Sequence, residues 1–308
     1  MYNSEIDKVK LLLNPIFLNK DRAQHIRADN ALTLHNAGNF TFLAVHAEYF
    51  NPYFDYKTQI AKAIFELIEK KVINFPMDNP IFTFMFVLQN MEYFILGVSQ
   101  VEFFFDFPFG KVSVAPAAIE NGDIIQYKDK SGNLCETYYT NDYEKGKTKS
   151  SFCIYNKYIK LIKDRHISHK AIEKMNVEYR IEARLTRGNC QYLDLVNLTG
   201  TFEDIFKRFK PLLAVLYYTR LYGCVEVTGK SNTYFSRLIR QVEKERVKYF
   251  NKNRLKKSEP IKDIPENGTL RRYIQMKLLE KYFLNMNNEK TTIDTGKNGI
   301  EMTDLEVS

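Results

Sequence analysis

Val98-Ser-Gln-Val-Glu-Phe-Phe-Phe-Asp-Phe107 is the stretch that decides the fold. Apolar and polar side chains alternate along it, the period-2 pattern of a strand with one face buried. Glu102, Phe104 and Asp106 fall on one face. Val101, Phe103, Phe105 and Phe107 fall on the other. Two later segments repeat the pattern: Ser150-Ser-Phe-Cys-Ile-Tyr-Asn-Lys157 and Glu178-Tyr-Arg-Ile-Glu-Ala-Arg-Leu185. In the first of these Cys153, Tyr155 and Lys157 share a face. In the second Arg180, Glu182 and Arg184 do, opposite Tyr179, Ile181, Ala183 and Leu185. The pattern predicts an antiparallel sheet that shows carboxylates, arginines, a lysine and a tyrosine to solvent or to a site.

Working outward, Phe40 to Tyr49 also alternates like a strand, while residues 1–40 are polar and mixed. Thr58 to Lys71 places Ile60, Ala61, Ile64, Phe65 and Ile68 at helical spacing and predicts an amphipathic helix. Ile81 to Val98 is the most apolar run. Gln89, Asn90 and Glu92 interrupt it, so it reads as two strands around a turn and not as a membrane span. Asn121-Gly-Asp and Lys130-Ser-Gly-Asn read as turns. Tyr138 to Lys157 reads as a hairpin with a polar tip at 142–149, and a helix is expected from Lys157 to Met175. From Thr201-Phe-Glu-Asp, which has the form of a helix start, helices are expected over 202–221, 231–251 and 268–285. The expected class is therefore α+β: an antiparallel sheet with packed helices over 1–200, a helix-rich segment over 201–286, and a flexible tail over 287–308.

The chain has 308 residues, enough to bury a sizeable core, and its 44% hydrophobic content is that of a globular protein and not of a disordered one. Its 45 Lys and Arg against 37 Asp and Glu leave a formal charge of +8, which favours polyanionic partners, nucleic acid first. Cys135, Cys153, Cys190 and Cys224 form no Cys-x-x-Cys pair. Neither a zinc ribbon nor a thioredoxin motif is supported, and reduced thiols in the cytoplasm are expected. The first residues lack the charged-then-apolar pattern of a signal peptide.

Carboxylates on neighbouring strands suit a hard divalent cation such as Mg²⁺ or Mn²⁺, which takes oxygen ligands. Glu102, Asp106 and Glu182 are the candidate ligands. Arg180 and Arg184 are candidate phosphate clamps, because guanidinium donates two parallel hydrogen bonds. Tyr155 is a candidate nucleophile: attack on phosphorus by a tyrosine conserves the bond energy for rejoining. An unperturbed phenol titrates near pH 10, so it needs help from a metal or from Lys157. The same residues also fit the polar face of a sheet laced by cross-strand ion pairs. His46-Ala-Glu48 is a further ligand candidate on one strand face. His166 and His169 have the wrong spacing for a strand face.

The ordered set resembles the replication initiators of rolling-circle plasmids, the initiation-factor family, and more distantly those of filamentous phages. Val98 to Asp106 matches a strand of the form Val-x-x-hydrophobic-acid-(x)3-Asp. Lys149-Ser-Ser-Phe-Cys-Ile-Tyr-Asn-Lys157 matches a hairpin ending in Ile-Tyr-acid/Asn-Lys. Arg180-Ile-Glu-Ala-Arg-Leu185 matches Arg-x-Glu-x-x-Leu. The resemblance covers residues 95–190. It implies origin binding, nicking of one strand, a covalent 5′-phosphotyrosine intermediate and a requirement for Mg²⁺ or Mn²⁺. It places Glu102, Asp106 and Glu182 on acidic positions. For the nucleophile it leaves two tyrosines. Tyr155 matches the Ile-Tyr-x-Lys motif. In some members a tyrosine lies inside the Arg-x-Glu motif, where this chain has Ile181 and, beside it, Tyr179. The chain departs from the wider class of nickases in having no His-hydrophobic-His triplet.

Arg237 to Lys257 carries nine Lys or Arg against two Glu, interleaved with Tyr249 and Phe250. That composition fits phosphate contact with stacking on an opened base. Arg237, Arg240, Lys244, Lys248 and Arg254, then Arg271 and Arg272 at the start of the last helix, are the expected DNA contacts, together with Arg184. The expected partners are origin DNA, duplex and single-stranded, a host helicase and a second copy of the chain, with no membrane. Two other readings stay open. One is an origin-binding protein without catalysis. The other is a structural or regulatory protein of a mobile element.

Overall fold

The alternation in Val98–Phe107 is realised as a 13-residue strand at the middle of a sheet. The computed structural model describes residues 4–25, 31–140, 150–163, 169–186, 193–229, 232–253 and 268–297. Arg254, His166, Cys190, the hairpin tip at 142–149 and residues 298–308 lie outside them. The elements run β1 (Ser4–Leu13), α1 (Lys20–His25), β2 (Leu32–Ala37), β3 (Phe40–His46), α2 (Tyr56–Glu69), α3 (Pro80–Gln89), α4 (Met91–Phe94) and β4 (Ile95–Phe107). They continue β5 (Val112–Val114), α5 (Pro116–Glu120), β6 (Ile124–Lys128), β7 (Leu134–Thr140), β8 (Ser151–Asn156), α6 (Lys157–Lys163), α7 (His169–Met175) and β9 (Tyr179–Thr186). The chain then turns helical: α8 (Phe202–Arg220), β10 (Val225–Val227), α9 (Thr233–Lys252) and α10 (Gly268–Lys297). The fold is α+β.

Eight strands form one sheet in the order β2-β3-β1-β4-β9-β8-β7-β6. Every pairing in it is antiparallel. β5 and β10 make a separate two-stranded ribbon. The odd-numbered face of β4 is covered by helices. Phe103 meets Phe209 of α8 at 5.5 Å between ring centroids, and Phe105 and Phe107 meet Phe235 of α9 at 5.2 and 5.3 Å. α10 packs on α8, with Tyr282 6.3 Å from Phe209. One contiguous core thus runs across residue 200, from Ile6 and Val9 of β1 to Leu278 and Tyr282 of α10.

Helix starts are specified locally. Asp55 accepts from Thr58 N at 3.0 Å to cap α2. At α8, Thr201 N and Oγ1 both donate to the Asp204 carboxylate, at 2.9 and 2.8 Å. Gly200 precedes this cap with φ +93°, and a Cβ there would stand 2.8 Å from Asp204 Cβ. Only glycine fits so close an approach in that region of backbone space.

Three expectations are corrected. Ile81 to Val98 is not two strands: α3 and α4 precede β4. Asn79 accepts from Ile81 N and Phe82 N, and Pro80 occupies the first helical turn. This N-cap followed by proline is a helix start that outweighs the apolar run behind it. The strand expected to reach Tyr49 stops at His46, and a 3-10 turn over Ala47–Tyr49 takes Glu48 off it. The flexible tail expected from 287 is helical to Lys297. Neither glycine nor proline occurs between 269 and 295, and extending a nucleated helix costs little. Among the described residues no helix is long and apolar enough to cross a membrane.

Candidate metal and nucleophile site

The second face of β4, β9 and β8 carries the predicted residues in register. Lys8, Glu102, Arg184 and Ser151 form one row across β1, β4, β9 and β8. Phe104, Glu182 and Cys153 form the next, and Asp106, Arg180 and Tyr155 the third. Successive rows are two residues apart on each strand, so side chains of neighbouring rows reach one another diagonally.

Of the two expectations for this face, solvent or a site, the burial excludes open solvent. Glu102 and Asp106 are each 2% exposed, and Arg180, Glu182 and Cys153 are buried as well. Buried charges persist only when paired, and each of these is. Asp106 receives Arg180 bidentately, Nε at 2.6 Å and Nη2 at 2.9 Å. Nη1 of the same guanidinium reaches Asp7 at 3.0 Å, and its plane lies 3.7 Å from the centre of the Phe104 ring. Glu102 pairs with Lys8 at 2.9 Å and accepts from Gln100. Glu182 accepts from Arg184 Nη2 at 3.1 Å and from the Tyr155 hydroxyl at 2.8 Å.

Asp7, Glu102 and Glu182 each offer one oxygen within 4.8 Å of the others. Asp7 is the residue missed in the sequence. It lies at a bulge of β1, where the pairing shifts between Ile6 and Lys8. The bulge spaces the buried Ile6 and Val9 by three residues and hides the alternation. Asp106 does not join this triad, because Arg180 holds it. Arg180, with three donors on Asp106 and Asp7, orients carboxylates and is not free as a phosphate clamp. Lys157 does not share the strand face. β8 ends at Asn156 and Lys157 opens α6. Burial, then the Arg180 charge, pulls its ammonium below the usual lysine value.

Four carboxylates, Asp7, Glu102, Asp106 and Glu182, thus meet three cations in ion-pair contact, Lys8, Arg180 and Arg184. The shortfall falls on Asp7. Burial first, then Glu182, pushes its carboxyl up to about 6. Burial also raises Glu182, but Arg184, the Tyr155 hydroxyl and Arg180 together outweigh it and hold the group below its ordinary value. Tyr155 is pushed well above an ordinary phenol, chiefly by burial, with Arg180 opposing and Glu182 adding to the rise. Burial takes the Cys153 thiol up to about 12. A proton on Asp7, or a divalent cation among its hard oxygen donors, relieves the excess negative charge. The donor set therefore fits Mg²⁺ or Mn²⁺.

Beside the triad a cavity of about 840 Å³ is walled by Cys153, Tyr155, Glu182 and Arg184 on the sheet and by Lys160 and Lys163 of α6. Tyr127 and Tyr139 line its far side with rings 6.3 Å apart, and Lys160 lies 4.9 Å from the Tyr155 ring. Arg184 Nε is buried without a hydrogen-bond acceptor, its nearest carboxylate oxygen on Glu102 at 3.4 Å.

Tyr179 lies on the other face of β9 and donates to Glu136 at 3.0 Å, away from the triad. His46 pairs with Lys8 in the outer part of the first row and adds no oxygen or nitrogen to the triad. Arg237 is paired with Glu203 at 2.5 Å, Lys248 with Glu245 at 3.3 Å, and Arg271 donates to Thr219 O at 2.7 Å. Arg240, Lys244 and Arg272 are exposed on α9 and α10. Comparison of the chain with protein-family models, with curated proteins and with solved structures finds no match in any of the three.

Proposed function

We propose that the chain is a metal-dependent tyrosine nickase that initiates rolling-circle replication at an origin. The observation that carries this reading is the Tyr155 hydroxyl at 2.8 Å from Glu182, itself one of three converged carboxylates. A nucleophile, a proton acceptor and a cation-binding set share one sheet face beside a cavity with cationic and aromatic walls, a combination suited to a single strand. Asp7, Glu102 and Glu182 would hold Mg²⁺ or Mn²⁺, which when bound would supply Lewis-acid polarisation of the scissile phosphodiester. Tyr155 Oη bonds to phosphorus as the bond from phosphorus to the 3′ oxygen breaks; the phenol proton passes to Glu182 Oε1 and from there to the departing oxygen, which leaves as a 3′ hydroxyl. The product is a 5′-phosphotyrosine and a free 3′ end. Lys160, Lys163 and Arg184 face the cavity and can hold the flanking phosphates. Arg180 keeps Asp7 and Asp106 in place, and Lys157 adds positive charge at the Arg180–Asp106 side.

A second reading, an origin binder without chemistry, is favoured by one observation. Each carboxylate already has a cationic partner, and Tyr155 is only 7% exposed. The experiment that separates the two incubates purified protein with labelled single-stranded origin DNA and Mn²⁺ on a denaturing gel. The nickase reading expects a covalent adduct, abolished by Tyr155→Phe and by chelator, and retained in Tyr179→Phe. An adduct lost only in Tyr179→Phe moves the nucleophile. No adduct on any origin strand leaves the binder.

A further inference from the structure

On the helical side of the described residues, a groove of about 560 Å³ lies between three helices and is lined almost wholly by cations. Lys210 of α8, Arg237, Arg240, Gln241 and Lys244 of α9, and Lys281 of α10 line it. The carboxylates near it are Glu203, held by Arg237, and Glu245, held by Lys281 and Lys248. Five cations therefore meet two carboxylates. Burial and the charges of Arg237, Lys281 and Arg240 pull the Lys210 ammonium below its usual value. Like charges held within a screening length of one another destabilise the fold unless an anion joins them.

The groove is carried by helices that cover the odd-numbered face of β4, whereas the carboxylates occupy the even-numbered face. The two sites are thus on opposite sides of the sheet. A row of cations runs past the groove along α9. Arg237, Arg240, Lys244 and Lys248 recur at helical spacing over twelve residues, a rise of about 16 Å at 1.5 Å per residue. Along a duplex axis one strand advances about 3.4 Å per phosphate, so the row matches the rise of roughly five base pairs, longer than a compact polyphosphate.

We infer that this groove is a second nucleic-acid site, separate from the carboxylate site, which holds a sugar-phosphate backbone without a metal and without reading sequence. The inference rests on the nickase reading only in taking nucleic acid as the partner. It adds Lys210 and Lys281 to the residues that grip it. It also means that a held segment and a cleaved strand occupy opposite sides of the protein.

The test uses the full chain, labelled 20-nucleotide single strands and 20-base-pair duplexes of arbitrary sequence, and anisotropy in EDTA across a salt series. Wild type should bind, with affinity falling steeply as salt rises. The triple variant Lys210→Gln, Arg240→Gln, Lys244→Gln should bind at least tenfold more weakly at low salt. Its log–log salt slope should be shallower by about 2–3, as expected for three lost phosphate contacts. The charge-preserving variant Lys210→Arg, Arg240→Lys, Lys244→Arg should restore the slope, which excludes a folding defect. Mn²⁺-dependent adduct formation on a short oligonucleotide should fall in the triple variant by much less than its EDTA-resistant binding does. An unchanged slope overturns the groove, and an equal loss of adduct overturns its separateness. Displacement of the oligonucleotide by inorganic tripolyphosphate at equal phosphate concentration overturns nucleic acid as the occupant. If wild type gives no adduct on any strand, the nickase reading falls, while EDTA-resistant binding lost in the triple variant still supports the groove.

Discussion

Tyr155 and Glu182 are bound to each other, so changing one tests the other. Tyr155→Phe removes the 2.8 Å hydrogen bond and leaves Glu182 to Arg184. The expected stability loss is about 1 kcal/mol, a shift of a few degrees in thermal melting, set against complete loss of the covalent adduct. A variant that melts normally and still forms adduct would remove Tyr155 from the chemistry. Asp7 offers a pH test. Its carboxyl is pushed up to about 6 in the fold, against about 3.9 in an unfolded chain. A group that holds its proton more tightly when folded stabilises the fold at low pH and loses that contribution as pH rises from about 4 through 6. In EDTA, wild type should lose about 1–2 kcal/mol over this interval relative to Asp7→Asn. Parallel pH profiles of the two proteins would refute the assignment. Glu102, Glu182 and Tyr155 were legible in the sequence because each sits in an unbroken alternation. Asp7 was not, because a bulge resets the period there. The pairing of Asp106 with Arg180 was hidden as well, since cross-strand register is not written in any single strand.

At the level of elements, the C-terminal helices were readable from their start signals, and α3 was misread because an apolar run outweighed the Asn79-Pro80 signal that governs it. The capping of α8 makes the same point quantitatively. Asp204 takes two hydrogen bonds from Thr201, and its carboxyl is held below its ordinary value by them. Asp204→Ala should cost about 1 kcal/mol. Gly200→Ala should cost more, since its added Cβ would stand 2.8 Å from Asp204 Cβ at a backbone φ of +93°. Chemical denaturation of both variants checks the ranking, and an equal or reversed order would mean the turn relaxes freely. α3 itself carries Phe82 at 75% exposure, an apolar surface that its sequence makes easy to mistake for a core strand.

Across the whole molecule, the division near residue 200 separates types of element while one core spans it. Phe103, Phe105 and Phe107 depend on α8 and α9 for cover. Phe103→Ala should therefore cost about 3–5 kcal/mol and unfold sheet and helices in one transition. A fragment ending at residue 200 should remain uncooperative by circular dichroism and open to proteases; a sharp melting transition in that fragment would show that the sheet stands alone. The strand order was the part least legible in the sequence, because β1 inserts between β3 and β4, and β4 pairs with β9 some eighty residues later. That order also sets a timetable on the ribosome. β1 and β3 can pair early, but Glu102 has no Arg184 and Tyr155 no Glu182 until β9 has left the exit tunnel. The helices that cover β4 emerge later still. At synthesis rates of about 5–20 residues per second, Asp7, Glu102 and Asp106 wait several seconds for the arginines of β9, and a row of phenylalanines waits longer for the helices. Nascent chains of this protein are for that interval natural clients of a chaperone.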